Sequence, residues 1–215
     1  VTLERREIPV TSVLPGRTAP YRAAEVRPQV GGVLRERLFT EGEAVAAGQP
    51  LFQIDPAPFE AAVRRAEAAL TRIEAAERVA LSTANRLRAL ARVQAVSEQN
   101  LENAEATLRQ VQADIVSSRA ALETARIDLG YTRVASPIAG RTGRTAVTPG
   151  ALVTANQAAP LVTVTQLDPI LVDLTQPSAV LLQQRRDVES GALRRPEADR
   201  ATARLLLEDG SEYPH

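Results

Sequence analysis

Side chains capable of nucleophilic, acid–base or metal chemistry are scarce in this sequence. It contains no Cys, no Met and no Lys, and its one His is the last residue, His215. The chain therefore lacks thiolates, an internal imidazole base and soft metal ligands. These gaps argue against a His-based catalytic triad, a zinc site, a disulfide within the chain and a Lys-linked cofactor.

Carboxylates are the remaining candidates for acid–base work. Asp55, Asp168 and Asp173 lie nearest to the junctions between segments, and a carboxylate pair can act as general acid and base. However, the runs IDP and LDP place two of them before Pro, at the predicted end of a strand, where Asp usually forms a turn. We therefore predict that the protein is not an enzyme and that it holds no cofactor and no metal.

Charge and hydropathy exclude further classes of protein. The 26 basic residues are all Arg and balance 26 acidic residues, so no net field attracts nucleic acid or anionic lipid. No apolar run approaches the roughly 18 residues of a membrane-spanning helix. A partner must therefore be recognised through a local surface.

One stretch of 20 residues occurs twice. VRPQVGGVLRERLFTEGEAV (26–45) aligns without gaps with VASPIAGRTGRTAVTPGALV (134–153). Each copy predicts several short strands, and two such copies can close on each other as a small β-sandwich. We interpret the glycines that both copies share as residues of turns that need a positive φ, namely Gly32, Gly42, Gly140 and Gly150.

Between the copies, the hydrophobic period changes to that of a coiled coil. Neither Gly nor Pro interrupts residues 59–129, and apolar or small residues recur at steps of three and four, with the acid Glu77 as one exception. A break at 92–97 would let Ser97 cap a returning helix. The prediction is an antiparallel hairpin about 50 Å long, with a seam that includes Leu101, Leu108, Val111, Ile115, Leu122 and Leu129.

Shorter elements are predicted outside the repeat. Residues 7–19 and 169–176 alternate apolar and polar side chains, as half-buried strands do. A short helix is expected from near Ser178 to Gly191, followed by a strand at 201–207 and a turn at EDG, residues 208–210.

Nearly the whole chain, from about Thr11 to Pro214, resembles the periplasmic adaptor, or membrane fusion, subunits of tripartite RND multidrug efflux pumps. The resemblance is carried, in this order, by LPGRTAPYRAAEVRPQVGG, LFTEGEAVAAGQPLFQIDP, ARIDLGYTRVASPIAGRTGR, VTPGALVTANQ and QLDPILVDLTQPS. So many matched blocks in a fixed order make the resemblance specific.

The resemblance implies an α+β, multidomain and elongated fold. An antiparallel α-helical coiled-coil hairpin is inserted into a split lipoyl-like β-sandwich, which is itself nested in a β-barrel domain that is incomplete here. The expected segments are the first part of the barrel at 1–21, with a trace of a membrane-proximal strand at its start, lipoyl-like half 1 at 22–57, the hairpin at 58–129, lipoyl-like half 2 at 130–166 and the truncated barrel at 167–215.

The family also carries a docking motif at the hairpin tip, in which an Arg is followed four residues later by a Leu and seven residues after that by a Ser. Arg86, Leu90 and Ser97 match this spacing in RLRALARVQAVS. By resemblance they dock onto an outer-membrane channel. The alternative interpretation of the same residues is a solvated Arg, a seam Leu and a helix cap.

Partners and location follow from the same resemblance. They are an inner-membrane RND proton/drug antiporter, an outer-membrane TolC-like channel and further copies of the chain, six per trimeric pump. The expected location is the periplasm, associated with the inner membrane, and family members commonly carry a lipid anchor on an N-terminal Cys outside this sequence. An adaptor of an ABC-type or type I secretion exporter shares the modular plan and is the alternative. A lipoyl or biotinyl carrier is excluded because the chain has no Lys.

Overall fold

The structure is a computed structural model that describes residues 11–193 and 203–213. Within these ranges the chain forms two four-stranded sheets, with strand orders β1-β8-β6-β3 and β5-β4-β2-β7. The elements are β1 Gly16–Val26, β2 Gly32–Arg37, β3 Ala44–Val45, β4 Pro50–Ile54, α1 Ala57–Ala91, α2 Glu98–Tyr131, β5 Arg133–Ala135, β6 Gly140–Thr142, β7 Leu152–Val153, β8 Val162–Leu174 and α3 Ser178–Glu189. The predicted mixed fold, with two long helices between two strand-rich segments, is confirmed.

The chain divides into two compact units. One is Pro20–Leu171, and the other combines Val1–Ala19 with Val172–His215. In the second unit α3 begins at Ser178, as predicted, and its end is followed by Gly191 at φ +74°. The predicted turn at 208–210 is also present, because Gly210 N donates to Leu207 O at 2.9 Å.

The strand predicted at 201–207 is wrong for the residues that the structure describes. From residue 203 onward only an isolated bridge forms there, between Leu206 and Glu212. The turn places these two residues opposite each other but provides no third strand to extend the pairing. Residues 201 and 202, the membrane-proximal trace at the chain start, the first four residues of the strand predicted at 7–19 and His215 lie outside the described residues.

The core of the unit Pro20–Leu171 lies between the two sheets. Leu34, Leu51 and Phe52 come from half 1, Leu161 and Val164 come from half 2, and all five are 0% exposed. Phe39 packs its ring edge-to-face on Phe52, with centroids 5.3 Å apart. Because both halves contribute fully buried side chains, neither half can bury its apolar surface without the other.

The halves are joined by reciprocal backbone contacts. A residue in half 1 corresponds to the residue 108 positions later in half 2. Gly42 N donates to Thr142 O at 3.1 Å, and its counterpart Gly150 N donates to Leu34 O, the counterpart acceptor, at 2.7 Å. The strand pairs are exchanged in the same way, with Gly32 opposite Val153 and Val45 opposite Gly140. The sequence repeat is therefore a local two-fold relation within one sandwich.

Equivalent turns close each half. Gly48 at φ +79° corresponds to Asn156 at φ +53°, and Asn is among the few residues with a side chain that tolerate this conformation. Gln49 Oε1 accepts from Ala46 N at 2.9 Å, and Gln157 Oε1 accepts from Thr154 N at 3.2 Å. The shared Gln of the two copies is thus explained by one side-chain hydrogen bond made twice.

The predicted turn role holds for only two of the shared glycines. Gly42 and Gly150 have φ of +80° and +90°. For Gly32 and Gly140 the prediction is wrong, because each is the first residue of a strand, β2 and β6 respectively. Space explains these two instead: a Cβ on Gly32 would lie 2.7 Å from Ile54 Cγ2, and a Cβ on Gly140 would lie 2.5 Å from the backbone oxygen of Thr165.

A polar cluster adds a further bond between the halves. Glu41 Oε1 accepts from Thr145 N at 3.0 Å and from the Thr145 hydroxyl, and it contacts Arg37 Nη1 at 3.0 Å. The Thr145 hydroxyl, then its backbone N–H, and then the charge of Arg37 lower the pKa of the Glu41 carboxyl below its ordinary value of 4.5. The ionised form of Glu41 is therefore the one that joins the halves.

We predict opposite effects for alanine at two glycines. Gly140→Ala forces a Cβ against the Thr165 backbone and should lower the free energy of unfolding by about 2 kcal/mol. Gly130→Ala, in the last turn of α2 with no atom within 4 Å of the added Cβ, should raise it by up to about 1 kcal/mol. Urea denaturation of the full-length protein measures both. Equal effects would show that Gly140 is not sterically required.

We also predict a pH dependence from Glu41. Because its pKa is lowered in the folded protein, its stabilisation is complete above the unfolded value of 4.5 and is lost as the pH falls through the lower folded value. Glu41→Gln should reduce the drop in the thermal midpoint between about pH 5 and pH 3. Glu102→Gln, an exposed carboxyl on α2, is the matched control. The same drop in both variants would contradict the assignment.

Candidate functional site: the tip of the helical hairpin

Two long helices form a hairpin that leaves the sandwich and returns to it. α1 begins after Pro56, and Asp55 Oδ1 accepts from Ala57 N at 3.3 Å at its start. With 35 residues in α1 and 34 in α2, each helix is about 50 Å long. The predicted break is confirmed, since α1 ends at Ala91 and α2 begins at Glu98. The turn between them is therefore about 50 Å from the sandwich.

The predicted seam lies between the two helices. Ala84 on α1 is 0% exposed, which lets the helices approach closely at this level. The α2 seam residues are all buried or half-buried, namely Leu101, Leu108, Val111, Ile115, Leu122 and Leu129. Apolar or small side chains at the seam positions, with Glu77 as the exception, make the hairpin a two-helix coiled coil.

A ladder of polar pairs runs along one side of the seam, which sequence reasoning missed. Its four rungs are Arg88–Glu105 at 2.7 Å, Gln112–Glu77 at 3.3 Å, Arg119–Glu74 at 3.5 Å and Arg126–Glu67 at 2.9 Å. The α2 members recur every seven residues, at positions 105, 112, 119 and 126. This recurrence was the available signal in the sequence. Exposed pairs contribute at most about 1 kcal/mol each, so their main effect is to fix the register of the helices.

The ladder also explains the acid in the predicted seam. Glu77 is half-buried, and its carboxylate accepts a hydrogen bond from the Gln112 amide on the other helix. A buried carboxylate without a partner would be costly. With this partner, Glu77 is compatible with the coiled coil.

The tip turn has the geometry of a Schellman motif. Ala95 N donates to Leu90 O and Gln94 N donates to Ala91 O, both at 3.0 Å, while Gln94 has a φ of +56°. For a residue other than Gly, this conformation raises the free energy of the folded state by about 1 kcal/mol. These hydrogen bonds hold the end of α1 and the tip turn in one defined conformation.

Arg86 and Leu90 share one face of α1, because residues four apart are neighbours on a helix. Both side chains are exposed, Leu90 at 38%. Leu90 therefore lies outside the seam, which runs through Leu87 and Ala91 instead. An exposed Leu beside an exposed Arg at the end of a long rod offers both apolar contact and hydrogen-bond donors to a partner.

Ser97 lies across the turn, at the start of α2. It is the N-cap of that helix, and its hydroxyl oxygen accepts from Asn100 N at 3.4 Å. The predicted cap is thus confirmed. Ser97 is exposed, so its hydroxyl proton remains available to a partner while its oxygen caps the helix.

Two of the three carboxylates considered for acid–base work, Asp55 and Asp168, occupy different kinds of position. Asp55 stands between β4 and α1, where it forms a turn as predicted. For Asp168 the prediction of a strand end is wrong, because β8 continues through it to Leu174. β6 pairs with β8 only at Val164 and Thr165, so the proline after Asp168 loses no ladder bond on that side.

Two further properties concern the described residues only. They contain no cluster of three or more His, Cys, Asp or Glu side chains placed to hold a metal ion. None of their helices combines the length and apolar character needed to cross a membrane.

Comparison with known proteins identifies the family. Residues 22–165 match the model of the RND MFP (membrane fusion protein) barrel-sandwich hybrid domain. The chain belongs to the RND membrane fusion protein family. The match covers both halves of the sandwich and the complete hairpin, so the candidate tip lies inside the part that defines membership.

Relatives of this membrane fusion protein are named efflux components. The multidrug resistance protein MexA of Pseudomonas aeruginosa is 50% identical over 214 residues, which is 100% of this chain and 52% of MexA. The multidrug efflux pump subunit AcrA of Escherichia coli is 44% identical, over 100% of this chain and 54% of AcrA. The chain therefore spans about half the length of these curated relatives.

A solved structure supports the same fold. MacA from Actinobacillus actinomycetemcomitans superimposes with a TM-score of 0.60 and 27% identity, covering 80% of this chain and 57% of that chain. The agreement extends over most of the membrane fusion protein segment described above.

We predict that the cap and the surface role of Ser97 can be separated. Ser97→Ala should lower the free energy of unfolding by about 1 kcal/mol because Asn100 N loses its acceptor, while Ser97→Asp should keep the cap. Circular dichroism at 222 nm during urea denaturation of the full-length protein measures both. If the Ala and Asp variants lose the same stability, the cap does not contribute.

Proposed function

We propose that the full-length protein is a non-catalytic periplasmic adaptor. It links an inner-membrane RND proton/drug antiporter to an outer-membrane TolC-like channel in a tripartite multidrug efflux pump. The observation that carries this proposal is the 50% identity to MexA over the whole chain, together with the RND membrane fusion protein match. The proposal includes the segment boundaries at 1–21, 22–57, 58–129, 130–166 and 167–215.

Docking at the hairpin tip is the mechanical part of the proposal. Arg86, Leu90 and Ser97 contact the channel, with Leu90 in an apolar site and the polar groups bonded to carbonyls and side chains of the channel. The support for this assignment is that Arg86 and Leu90 are exposed side by side outside the seam. The coiled coil holds them at a fixed distance of about 50 Å from the sandwich.

Self-association is the second part. One rod cannot enclose a duct, so several copies assemble as a closed ring, six per trimeric transporter, through contacts between different faces of neighbouring copies. The transporter supplies the energy, and the adaptor seals the duct and couples its ends. The protein works in the periplasm at the inner membrane, held there through its transporter.

The alternative, an adaptor of an ABC-type or type I secretion exporter, has less support. The matching family model is specific to RND membrane fusion proteins. Three similar proteins are named for multidrug, solvent and toluene efflux. Both observations favour the RND assignment.

A crosslinking experiment tests the proposal. Because residues 1–215 contain no Cys, Ala95→Cys in the full-length protein adds one thiol to this segment, in the exposed tip turn, and leaves the Ser97 cap intact. In cells that lack their own adaptor, we expect a crosslink to the outer-membrane channel and restored drug resistance. A resistant strain without any crosslink, or a crosslink without restored resistance, would contradict the proposed bridge.

Matched variants assign the docking residues. Arg86→Asp and Leu90→Ala should each weaken channel binding about tenfold. Arg72→Asp, two heptads earlier on the same face, and Leu81→Ala, a Leu of similar exposure at 42%, are the controls and should bind normally. Equal loss in variants and controls would indicate a general defect of the hairpin instead of docking.

A further inference from the structure

We propose that Val93 is an additional docking residue and that the tip turn, Val93 to Val96, enters an apolar, uncharged cleft at the periplasmic end of the outer-membrane channel. This inference rests on the proposed function and deepens it. It adds a residue to the contact, and it states the chemistry of the partner surface.

Val93 is among the most exposed apolar side chains of the hairpin. Its exposed fraction is 71%, against 38% for Leu90. It follows Leu90 by three residues and Arg86 by seven, so on a helical path all three fall on one face. A single exposed apolar residue needs no explanation, but Val93 extends an exposed Leu to form a continuous apolar edge at the end of the rod.

The charge pattern separates the turn from the rest of the hairpin. Residues 93–97, VQAVS, carry no charge, whereas Arg92 and Glu98 border them and cancel each other. Elsewhere the hairpin is rich in Arg and acids. A partner surface that fits this turn is therefore uncharged and apolar, because a charged surface would lose its water without gaining an opposite charge.

Backbone hydrogen bonds hold the tip turn in one conformation before any partner binds. The Val93 and Ala95 N–H groups both donate to Leu90 O, at 3.2 and 3.0 Å, and Gln94 is held at positive φ. Val93 itself is β-branched and has one strongly preferred rotamer in helical backbone. Binding such a turn requires little ordering, so most of the apolar contact contributes to affinity.

The outer-membrane channel is the occupant that these observations favour. The turn is about 50 Å from the sandwich of its own chain. A second copy aligned side by side would contact the long flanks of the helices, and the end of the rod would remain free. A partner that lies beyond the end of the hairpin, as the proposed channel does, can cover Leu90 and Val93 together.

The test compares charge variants of either sign with a matched control. Full-length protein and channel are titrated at about 0.05 M and about 0.5 M NaCl. We expect Val93→Asp and Val93→Arg to weaken binding about tenfold each, since both put a charge into an apolar cleft. We expect Val93→Ile to bind normally and the wild-type affinity to change little with salt. Val79→Asp, two heptads earlier and 68% exposed, should also bind normally.

Three results would overturn the inference while the proposed function stands. The first is that both charged variants at Val93 bind the channel normally while Arg86→Asp binds weakly. The second is that only one of Val93→Asp and Val93→Arg weakens channel binding. The third is that the Val93 variants lose copy-to-copy association while their channel binding is unchanged. If a charged variant unfolds, Val93→Thr keeps the shape, adds one hydroxyl and should still weaken binding measurably. If wild-type protein itself does not bind the channel, the proposed function fails instead.

Discussion

The sandwich depends on backbone hydrogen bonds that its two halves exchange. Leu34 N donates to Ala151 O at 2.8 Å, and the counterpart Thr142 N donates to Glu43 O at 2.9 Å. Strands of two or three residues, such as β3, β6 and β7, are far too short to be stable alone. They persist because each pairs with the opposite half and buries one face in a common core. The long hairpin can be inserted between the halves because their association does not rely on the connecting chain being short.

The sandwich also positions the two helices of the hairpin. The last strand before the hairpin, β4, and the first strand after it, β5, pair with each other through Phe52 and Val134. The paired strands therefore hold the start of α1 and the end of α2 side by side. This pairing fixes the relative position of the two helices independently of their coiled-coil contacts. The seam then holds them together, and the polar ladder selects one register among those that a seam of Ala and Leu would allow.

The chemistry of the chain suits a protein that acts through position. It has few groups able to make or break bonds, and the side chains proposed for docking are exposed at the end of the helical hairpin. Apolar contacts at such an exposed end give affinity, and the neighbouring Arg gives orientation. A tip closed by backbone bonds is suited to repeated docking, since it does not have to be ordered each time.

Much of this organisation was readable from the sequence. The 3.5-residue period located the seam, Ser97 as a candidate N-cap located the break, and the repeat located the two halves. These signals are local or periodic, so they survive in one dimension. Arg86, Leu90 and Ser97 were proposed for docking only through resemblance, because an Arg, a Leu and a Ser at fixed spacing have ordinary roles in many helices.

The tertiary structure decided what depends on residues far apart in the chain. The sequence predicts turns at Gly32 and Gly140, and only the packed sheets show Ile54 and the Thr165 backbone occupying the space of a Cβ. Glu77 departs from the apolar pattern of the seam, and only the tertiary structure shows that Gln112 lies opposite it and donates a hydrogen bond to its carboxylate. Only the tertiary structure shows that Leu87 and Ala91 face the seam, which leaves Leu90 and Val93 exposed. Local pattern determines which elements form, whereas steric space, pairing partners and exposure are set only when the elements pack.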